Sequence, residues 1–328
     1  IIRAHYTITF QLPKLAFMLP QWHEYTGEWI AVDIGLNKTF IRQAETNHFL
    51  VTLNDARKIL RPRAKFDHKG VYGHALIVAG SYGKMGAAVL ASRAALRSGV
   101  GLVTAHAPGC GYTILQTAVP EAMVSVDKDQ EHFTDFPSLA NFSTIGIGPG
   151  LGQSPATVKA FQEILLKFRK PMVIDADGLN ILASNEALLT QVPQNSILTP
   201  HPKEFERLVG KWSDDFDRLE KQKQLAARLK SVIILKGANS SIASPLGQVF
   251  FNSTGNPGMS TGGTGDVLTG ILAGLLAQDY TPLDTAILGV FLHGLSGDLT
   301  GLEKGQASLV AGDLVDFLPQ AFLKLLTK

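Results

Sequence analysis

The 328-residue sequence has little cysteine, little net charge and no long hydrophobic run. Its single cysteine, Cys110, excludes an internal disulfide and is typical of a reducing compartment, so we expect a cytoplasmic protein. A formal net charge of +2 argues against nucleic acid and against an anionic membrane surface as partners. The most apolar stretch, VLTGILAGLLA, is shorter than the roughly 20 residues needed to span a bilayer, so we expect no membrane partner.

The N-terminal residues differ in pattern from the rest of the chain. Residues 1–50 contain two strand-like runs, HYTITFQLPKLAFMLP and EWIAVDIGL, joined by a polar turn. Two strands cannot bury a face of their own, so this part must pack on something else. The sequence begins at Ile1 without a methionine and without a secretory signal pattern, and we expect further residues upstream. Residues 51–64 predict a short linker helix.

Residues 65–328 alternate short apolar strands with helices. This pattern predicts an α/β fold with a mainly parallel sheet covered by helices on both faces. Ligands of such sheets bind beyond the carboxyl ends of the strands, and the unusual polar and glycine-rich segments each follow a strand. Strands are predicted at 74–80, 101–107, 143–148, 171–177, 195–200 and 231–237, and helices at 86–99, 155–168, 182–190 and 213–229.

The segment NSTGNPGMSTGGTGDVLTG, residues 252–270, contains six glycines and a proline and leads into an apolar run. A helix that starts near Gly265 leaves its first backbone N–H groups unpaired, and these groups with the helix dipole favour an anion such as a nucleotide phosphate. Asp266 at the same end could accept a proton from a substrate hydroxyl during phosphoryl transfer. The alternative is an ordinary helix start capped by Asp266. Because capping requires none of the upstream glycines, we favour the phosphate site.

Two further glycine-rich loops follow predicted strands. In GSYGKMGAA the glycines Gly80, Gly83 and Gly86 are spaced GxxGxxG rather than GxGxxG, which argues against a dinucleotide fingerprint. Close approach to a ligand and tight strand–helix packing both explain this loop. The segment GIGPGLG, residues 146–152, is a second glycine-rich loop after a predicted strand, and a proline stiffens it.

Four polar side chains also follow strands. Asp175 and Asp177 are suited either to holding Mg²⁺ or water or to capping the next helix; we favour capping for Asp177, and Asp175 is the candidate for metal contact. His201 precedes a helix at the ligand edge of the sheet, where we favour ligand contact over a structural role. Lys236 could meet a phosphate or extend into solvent from the sheet edge. His293 has no comparable context and is interpreted as structural.

Taken together, these motifs resemble those of the ribokinase-like superfamily and, within it, the ADP/ATP-dependent NAD(P)H-hydrate dehydratases. The resemblance covers residues 65–328 and includes Lys203 where the family commonly has glycine and Ser240 where it usually has threonine. The motifs that carry it are HKGVYGHALIVAGSYGKMGAAVLASRAALRSGVG, IGPGLG, DADGLN, LTPHPKEF, LKGANS and NSTGNPGMSTGGTGDVLTG.

The resemblance implies repair of NADH or NADPH damaged by hydration. Asp266 would take the proton from the C6 hydroxyl of the S form while ADP or ATP, with Mg²⁺, phosphorylates it, and phosphate would then leave. The implied site residues fall into two groups: Ala87, Gly150, His201 and Asp266 for the hydrated cofactor, and Lys236, Gly237, Ala238, Asn239, Ser240, Gly262, Gly263 and Gly265 for the adenine nucleotide.

Residues 1–50 resemble the last strands of an NAD(P)H-hydrate epimerase domain, which implies a longer bifunctional protein. The family resemblance also implies a homo-oligomer, with a tetramer as one form. Two alternatives stay open from the sequence: a small-molecule kinase acting on a thiamin-precursor alcohol, since the first step is shared, and a catalytically silent nucleotide-binding module, against which Asp266 argues.

Overall fold

The computed structural model describes residues 2–327 and arranges their strands in two sheets. The strands are short, and those of the larger sheet consist largely of β-branched, leucine and alanine residues, which suit a sheet covered on both faces. Their bounds are β1 Tyr6–Phe10, β2 Glu28–Val32, β3 His48–Leu50, β4 His74–Val78, β5 Leu102–Ala107, β6 Met123–Val126, β7 Thr144–Ile147, β8 Val173–Ile174, β9 Ile197–Leu198, β10 Val232–Leu235, β11 Ser241–Ala243 and β12 Val249–Phe251.

The larger sheet has the strand order β3-β12-β11-β10-β9-β8-β7-β4-β5-β6. Every neighbouring pair is parallel except β10–β11 and β11–β12, which form an antiparallel meander. The mainly parallel sheet predicted from the sequence is therefore confirmed. The short strands β3, β6, β11 and β12 were not predicted.

Helices cover both faces of this sheet. One face carries α3, α4, α5, α11, α12 and α13, and the other carries α6 to α10. The bounds are α1 His23–Thr26, α2 Lys38–Gln43, α3 Leu53–Ile59, α4 Met85–Arg97, α5 Tyr112–Ala118, α6 Pro155–Lys167, α7 Ala176–Ser184, α8 Glu186–Leu189, α9 Pro202–Val209, α10 Asp215–Leu229, α11 Thr264–Ala277, α12 Pro282–Lys304 and α13 Ala311–Leu326.

The alternation within β4 shows how two cores share one strand. Ala75 and Ile77 point into the core on the α4–α11 side, whereas Leu76 and Val78 point into the core on the α6–α7 side. All four are fully buried. Because side chains of a strand alternate between faces, a strand buried on both faces must be apolar throughout.

The boundary predicted between residues 50 and 65 lies too late in the chain. β3, at His48–Leu50, pairs in parallel with β12 at the edge of the large sheet. The segment predicted as a linker helix is shorter, Leu53–Ile59, and its Ala56 is fully buried in the core beneath α12 and α13. The larger unit therefore begins before residue 50, because burial of α3 and pairing of β3 make both of them part of its core.

The first two strands form a separate parallel pair, with Ile8 opposite Ile30 and Phe10 opposite Val32. A polar turn cannot connect parallel strands, and the connection instead contains the 3₁₀ helices Leu15–Met18 and Pro20–Trp22 followed by α1. The apolar side chains of this pair point outward: Ile8 is 66% exposed and Phe10 is 63% exposed.

The helix α12 is, by length and composition, apolar enough to cross a membrane. In this fold 67% of its most apolar window is buried inside the protein. Core helices of globular proteins share this composition, so the helix by itself is weak evidence for a membrane.

Helices α4 and α11 pack with very little space between them, because glycines of α11 face the backbone of α4. A β-carbon added at Gly270 would lie 2.1 Å from the carbonyl oxygen of Ala91, and one at Gly274 would lie 2.7 Å from that of Ala95. This contact fixes the position of α11 on the sheet, and with it the position of Asp266 in its first turn.

We predict that Gly270→Ala destabilises the protein by about 1–3 kcal/mol or more, because the added methyl group forces the two helices apart. Gly312→Ala in α13 is the matched control: its β-carbon would meet no atom within 4 Å, and the higher helix propensity of alanine favours a gain of up to about 1 kcal/mol. Urea unfolding of both variants measures the difference. Equal stabilities would show that the close helix contact is not required.

Candidate active site

Five loops that carry site candidates lie side by side at one edge of the large sheet. The adjacent strands β4, β7, β8, β9 and β10 all run in the same direction, so their carboxyl ends form a row roughly 19 Å long. The chain leaves β4 towards β5 on one side and returns to β7 on the other, which makes the β4–β7 boundary the switch point where ligands of such sheets bind. The loops after these strands contain Gly80, Gly150, Asp175, His201 and Lys236.

Asp175, at the end of β8, forms the centre of this row. Its side chain is 2% exposed; Oδ1 accepts a bond from Lys236 Nζ at 2.8 Å, and Oδ2 accepts one from the Thr269 hydroxyl at 2.9 Å. The turn that aims it inward requires a left-handed backbone at Ala176, with φ of 48°. Asp175 thereby links β8 to β10 and to α11.

Asp266 lies half-buried in the first turn of α11, close to this ion pair. Its carboxylate accepts no hydrogen bond from any group in residues 2–327. Burial, followed by the negative charge of Asp175, raises the pKa of Asp266 to about 6, and the positive charge of Lys236 only partly opposes the shift. A carboxylate in this state is suited to accept a proton near neutral pH.

The turn before Asp266 leaves a run of backbone donors unpaired. No group in the described part of the chain accepts a hydrogen bond from the N–H groups of residues 262–266, and the N-cap residue Gly263 provides no side-chain cap. Five consecutive free N–H groups at the positive end of a 14-residue helix form a binding surface for an anion.

The structure separates the glycines of this segment into two kinds. Gly255 and Gly263 have φ of 108° and 91°, and a β-carbon at Gly258 would lie 2.5 Å from a backbone oxygen, so packing and backbone conformation explain these three. Gly262 has no atom within 4 Å of an added β-carbon, and Gly265 has only ordinary contacts, with Lys236 and Asp175. Neither folding nor packing requires glycine at these two positions.

His293, interpreted as structural from the sequence, supports the same turn. Its Nε2 lies 2.9 Å from the carbonyl oxygen of Thr264, the first residue of α11. Burial lowers the pKa of His293 to about 4, so the ring is neutral at pH 7 and its N–H donates to that carbonyl. The sequence contains no signal for this contact, because α12 brings His293 to the site from 29 residues further along the chain.

The loop after β10 is held closed by a serine hydroxyl. Ser240 Oγ donates to the carbonyl of Gly237 at 3.1 Å and accepts from its N–H at 3.2 Å. Gly237 and Ala238 are exposed, and the Asn239 amide lies at 3.5 Å from the carbonyl of Met18. Lys236, in contrast, neither extends into solvent nor stands free, because Asp175 holds its ammonium group.

The loops after β4 and β7 meet at the start of α4. Gly80 N–H donates to the carbonyl of Pro149 at 2.8 Å, and the Ser81 hydroxyl donates to that of Gly150 at 2.7 Å. Gly150 has φ of 62°, and a β-carbon there would lie 3.1 Å from Cβ of Ala87. Ala87 and Gly150 are therefore neighbours.

The same helix α4 also reaches the glycine segment around Asp266. A β-carbon at Gly263 would lie 2.7 Å from Leu90 Cδ1. One helix therefore brings the Ala87–Gly150 contact towards the start of α11.

His201 and Asp177 have partners that the sequence did not suggest. His201 is the N-cap of α9: its Nδ1 accepts from the N–H groups of Lys203 and Glu204. Its side chain is nevertheless 45% exposed, and its Nε2, 3.4 Å from Glu204, stays at the sheet edge. The prediction that Asp177 caps the next helix is wrong. Its carboxylate accepts hydrogen bonds from the N–H of Gly152 at 2.8 Å and from the side chain of Gln153, and it thereby anchors the loop after β7.

The residues present do not fit a metal site made by protein ligands alone. Residues 2–327 contain no group of three or more His, Cys, Asp or Glu side chains that could hold a metal ion. Asp175, the candidate for metal contact, already uses both of its oxygens for Lys236 and Thr269.

Comparison with known proteins places these residues in a family. The family model described as NAD(P)H-hydrate dehydratase matches residues 75–320. The chain is 41% identical over 99% of its length to a bifunctional NAD(P)H-hydrate repair enzyme of Moorella thermoacetica and 34% identical over 99% to that of Thermofilum pendens. It spans 63% of the length of each of these relatives.

A solved structure shows the same fold. The ADP/ATP-dependent NAD(P)H-hydrate dehydratase of Bacillus subtilis, co-crystallized with ATP and Mg²⁺, superimposes with a TM-score of 0.73 at 32% identity, over 86% of this chain and 100% of that one. The ribokinase-like fold expected from the sequence is confirmed by a ribokinase-like superfamily protein of Enterococcus faecalis, which superimposes with a TM-score of 0.75 at 27% identity over 86% of this chain and 98% of that one. With the family model matching most of the chain, the protein belongs to the NAD(P)H-hydrate dehydratase family.

Proposed function

We propose that this chain dehydrates the S form of NAD(P)H hydrate to NAD(P)H, with ADP or ATP as the phosphoryl donor. The observation that carries the proposal is the carboxylate of Asp266, which has no hydrogen-bond partner in residues 2–327 and adjoins five unpaired backbone N–H groups. A proton acceptor beside an anion-binding turn is what phosphorylation of a hydroxyl requires.

The reaction proceeds in two stages. Asp266 takes the proton of the C6 hydroxyl. At the same time the hydroxyl oxygen bonds to the terminal phosphorus of the nucleotide, and the P–O bond that joined this phosphorus to the rest of the nucleotide breaks. The N–H groups of Gly262, Gly263 and Gly265 stabilise the negative charge on the transferring group. The nitrogen of the nicotinamide ring then expels phosphate by breaking the C6–O bond, and loss of a proton from C5 restores the dihydronicotinamide.

The adenine nucleotide lies, in this proposal, along the β10 loop from Lys236 to Ser240 and reaches the start of α11. Ser240 holds this loop in shape, and the exposed backbone of Gly237 and Ala238 faces the ligand. Mg²⁺, when present, would be held by nucleotide phosphates and water rather than by a protein cage, because Mg²⁺ commonly keeps most of its waters.

The hydrated cofactor occupies the other side of the site. The contact between Ala87 and Gly150 forms its floor, and the exposed part of His201 closes the edge beyond β9. Because Nδ1 of His201 is used for the helix cap, only its Nε2 can face the substrate.

The family match favours dehydration over a small-molecule kinase that uses the same first step, and the accessible Asp266 argues against a silent nucleotide-binding module. The cytoplasmic location and the homo-oligomeric state expected from the sequence stay predictions.

The N-terminal strands support a second, separate proposal: residues 1 to about 44 complete an upstream epimerase domain in a longer bifunctional protein. The relatives named as bifunctional are longer than this chain. The outward face of β1 and β2 bears Ile8, Phe10, Ile30 and Val32, each at least 42% exposed. An apolar face of this kind indicates a missing packing partner.

We predict that Asp266→Asn lowers kcat by about 10²–10⁴-fold, because the hydroxyl proton loses its acceptor. The assay follows recovery of dihydronicotinamide absorbance from hydrated NADH with ADP or ATP and Mg²⁺, and calorimetry checks that the nucleotide still binds. The matched control Asp316→Asn, an exposed carboxylate paired with Arg93, should leave turnover unchanged. Unchanged turnover in Asp266→Asn contradicts the proposed base, and nucleotide consumption without NADH recovery favours a kinase.

A second prediction concerns pH. The pKa of Asp266 is about 6 in the folded protein and about 4 in the unfolded chain, so the folded state binds its proton more tightly. The free energy of unfolding that this proton contributes is fully present below about pH 4 and is lost as pH rises through 6. Asparagine cannot ionise, so Asp266→Asn should raise the free energy of unfolding by about 1–3 kcal/mol at pH 8 but change it little at pH 4. Urea unfolding measures the difference, and an equal effect at both pH values contradicts the raised pKa. For the wild type, kcat/KM at saturating nucleotide should fall below pH 6.

A third prediction tests the N-terminal strands. The double substitution of Ile8→Lys and Ile30→Lys should not change the stability of the present chain, where both side chains are exposed. In a chain extended at its N-terminus to the length of the relatives, the same change should cost about 2 kcal/mol or more, because the proposed upstream domain would bury the lysines in an interface. Equal effects in the two chains would show that this face remains uncovered.

A further inference from the structure

A separate cavity lies at the opposite edge of the large sheet from Asp266. It is lined by residues that precede β4 and β5, including Tyr72 and Gly99, and by Leu275 and Gln278 at the end of α11. Its volume of about 770 Å³ is in the range of small-molecule sites. Since α11 has 14 residues, its two ends are roughly 20 Å apart. None of the residues assigned to the reaction lines this cavity.

The cavity has an apolar interior. Leu275 and Tyr280 are almost fully buried at its base, and Leu60, Leu96 and Phe322 are half-buried along its wall. Val71, Leu323 and Leu326 at its opening are 53%, 58% and 62% exposed. These side chains would lose contact with water if the cavity were filled by an apolar group.

The lining of the cavity includes three arginines, Arg61, Arg63 and Arg97, but only one aspartate, Asp67. Within residues 2–327, none of the three forms an ion pair with a carboxylate, and Arg61 and Arg63 donate to backbone carbonyls instead. The carboxylate of Asp67 is itself bound by the Tyr72 hydroxyl at 2.6 Å and by the N–H of Ala64 at 2.9 Å. The hydrogen bond from Tyr72 is the main cause that lowers the pKa of Asp67, and the charge of Arg63 helps to lower it. The three arginines and one aspartate leave an excess of two positive charges in the cavity lining.

Two of these guanidinium groups are held in fixed positions. Arg61 stacks on the Tyr280 ring at 4.4 Å and donates to the carbonyl of Asp279 at 3.2 Å. Arg63 stacks on the Tyr72 ring at 4.0 Å and donates to the carbonyl of Gly99. Stacked guanidinium groups lose little further freedom when they bind an anion. Arg97 is exposed beside them and completes the charged side of the cavity.

We propose that this cavity binds a small anionic amphiphile: a molecule with one carboxylate or phosphate head group and an apolar body such as an acyl chain. Planar guanidinium groups bind both of these head groups through paired hydrogen bonds. The apolar interior accepts the body of the molecule. A neutral lipid would supply no negative charge for the arginines, and a free nucleotide would leave the leucines uncovered. The concave shape suits a small ligand better than the flat face of a second copy of this chain.

The test measures binding of dodecanoate and dodecyl phosphate, with uncharged dodecanol for comparison, by titration calorimetry on this chain below the micelle concentration. We expect one saturable site for at least one of the two anions and at least tenfold weaker binding of the alcohol. Arg97→Gln should weaken binding of the anion at least tenfold, whereas Arg169→Gln, an exposed arginine outside the cavity, should not change it. Leu323→Glu should also weaken binding, because it adds a negative charge at the opening.

Absence of saturable binding, equal affinity for anion and alcohol, or insensitivity to both Arg97→Gln and Leu323→Glu would overturn the proposal. So would a sedimentation experiment in which Leu323→Glu converts an oligomer into monomers, since a second copy of the chain would then cover this face. Neither Arg97 nor Leu323 belongs to the site around Asp266, so turnover of both variants should equal that of the wild type. The outcome is therefore independent of the proposed dehydratase reaction.

Discussion

The buried carboxylate of Asp175 determines how the site is assembled. Its two oxygens bind Lys236 from β10 and Thr269 from α11, so one side chain joins three elements that are distant in the sequence. Removing Lys236 alone would leave the buried charge of Asp175 without a partner, and removing Asp175 alone would leave that of Lys236. Either change is strongly destabilising. The position of the first turn of α11 relative to the strand ends follows from this contact and from the close packing of α11 on α4.

Burial and the same ion pair together set the pKa of Asp266. Burial is the largest cause of the raised pKa, the negative charge of Asp175 adds to it, and the positive charge of Lys236 offsets only part of the shift. A proton acceptor with a pKa near 6 is ionised at neutral pH and still basic enough to take a proton in the transition state. Lys236 contributes to this balance by pairing with Asp175 at 2.8 Å and by lowering the pKa of Asp266.

Much of the fold could be predicted from the sequence because the central strands are short, apolar and bounded by glycine or polar residues. All six strands predicted within residues 65–328 are present, and the ligand edge follows from their parallel direction. The missed strands lack such signals: β3, β11 and β12 have three residues each and β6 has four, and β3 pairs with a strand about 200 residues further along the chain. Contacts such as those of His293 and Asp177 were unpredictable for the same reason. The capping role of His201 could have been inferred from Glu204 three positions later, since this spacing is that of a capping box.

The density of glycine at 252–270 looked in the sequence like a single signal for phosphate, but it combines three physical requirements. Gly255 and Gly263 adopt a left-handed backbone, Gly258 packs against the backbone of Gln306, and Gly270 allows two helices to touch. Only Gly262 and Gly265 lack a reason within the fold, and both lie among the unpaired N–H groups next to Asp266. Since an alanine would fit the protein at either position, the absence of side chains there is best explained by an atom that approaches from outside the chain. The strongest evidence for a phosphate is therefore these two glycines, together with the free donors around them, rather than the number of glycines in the segment.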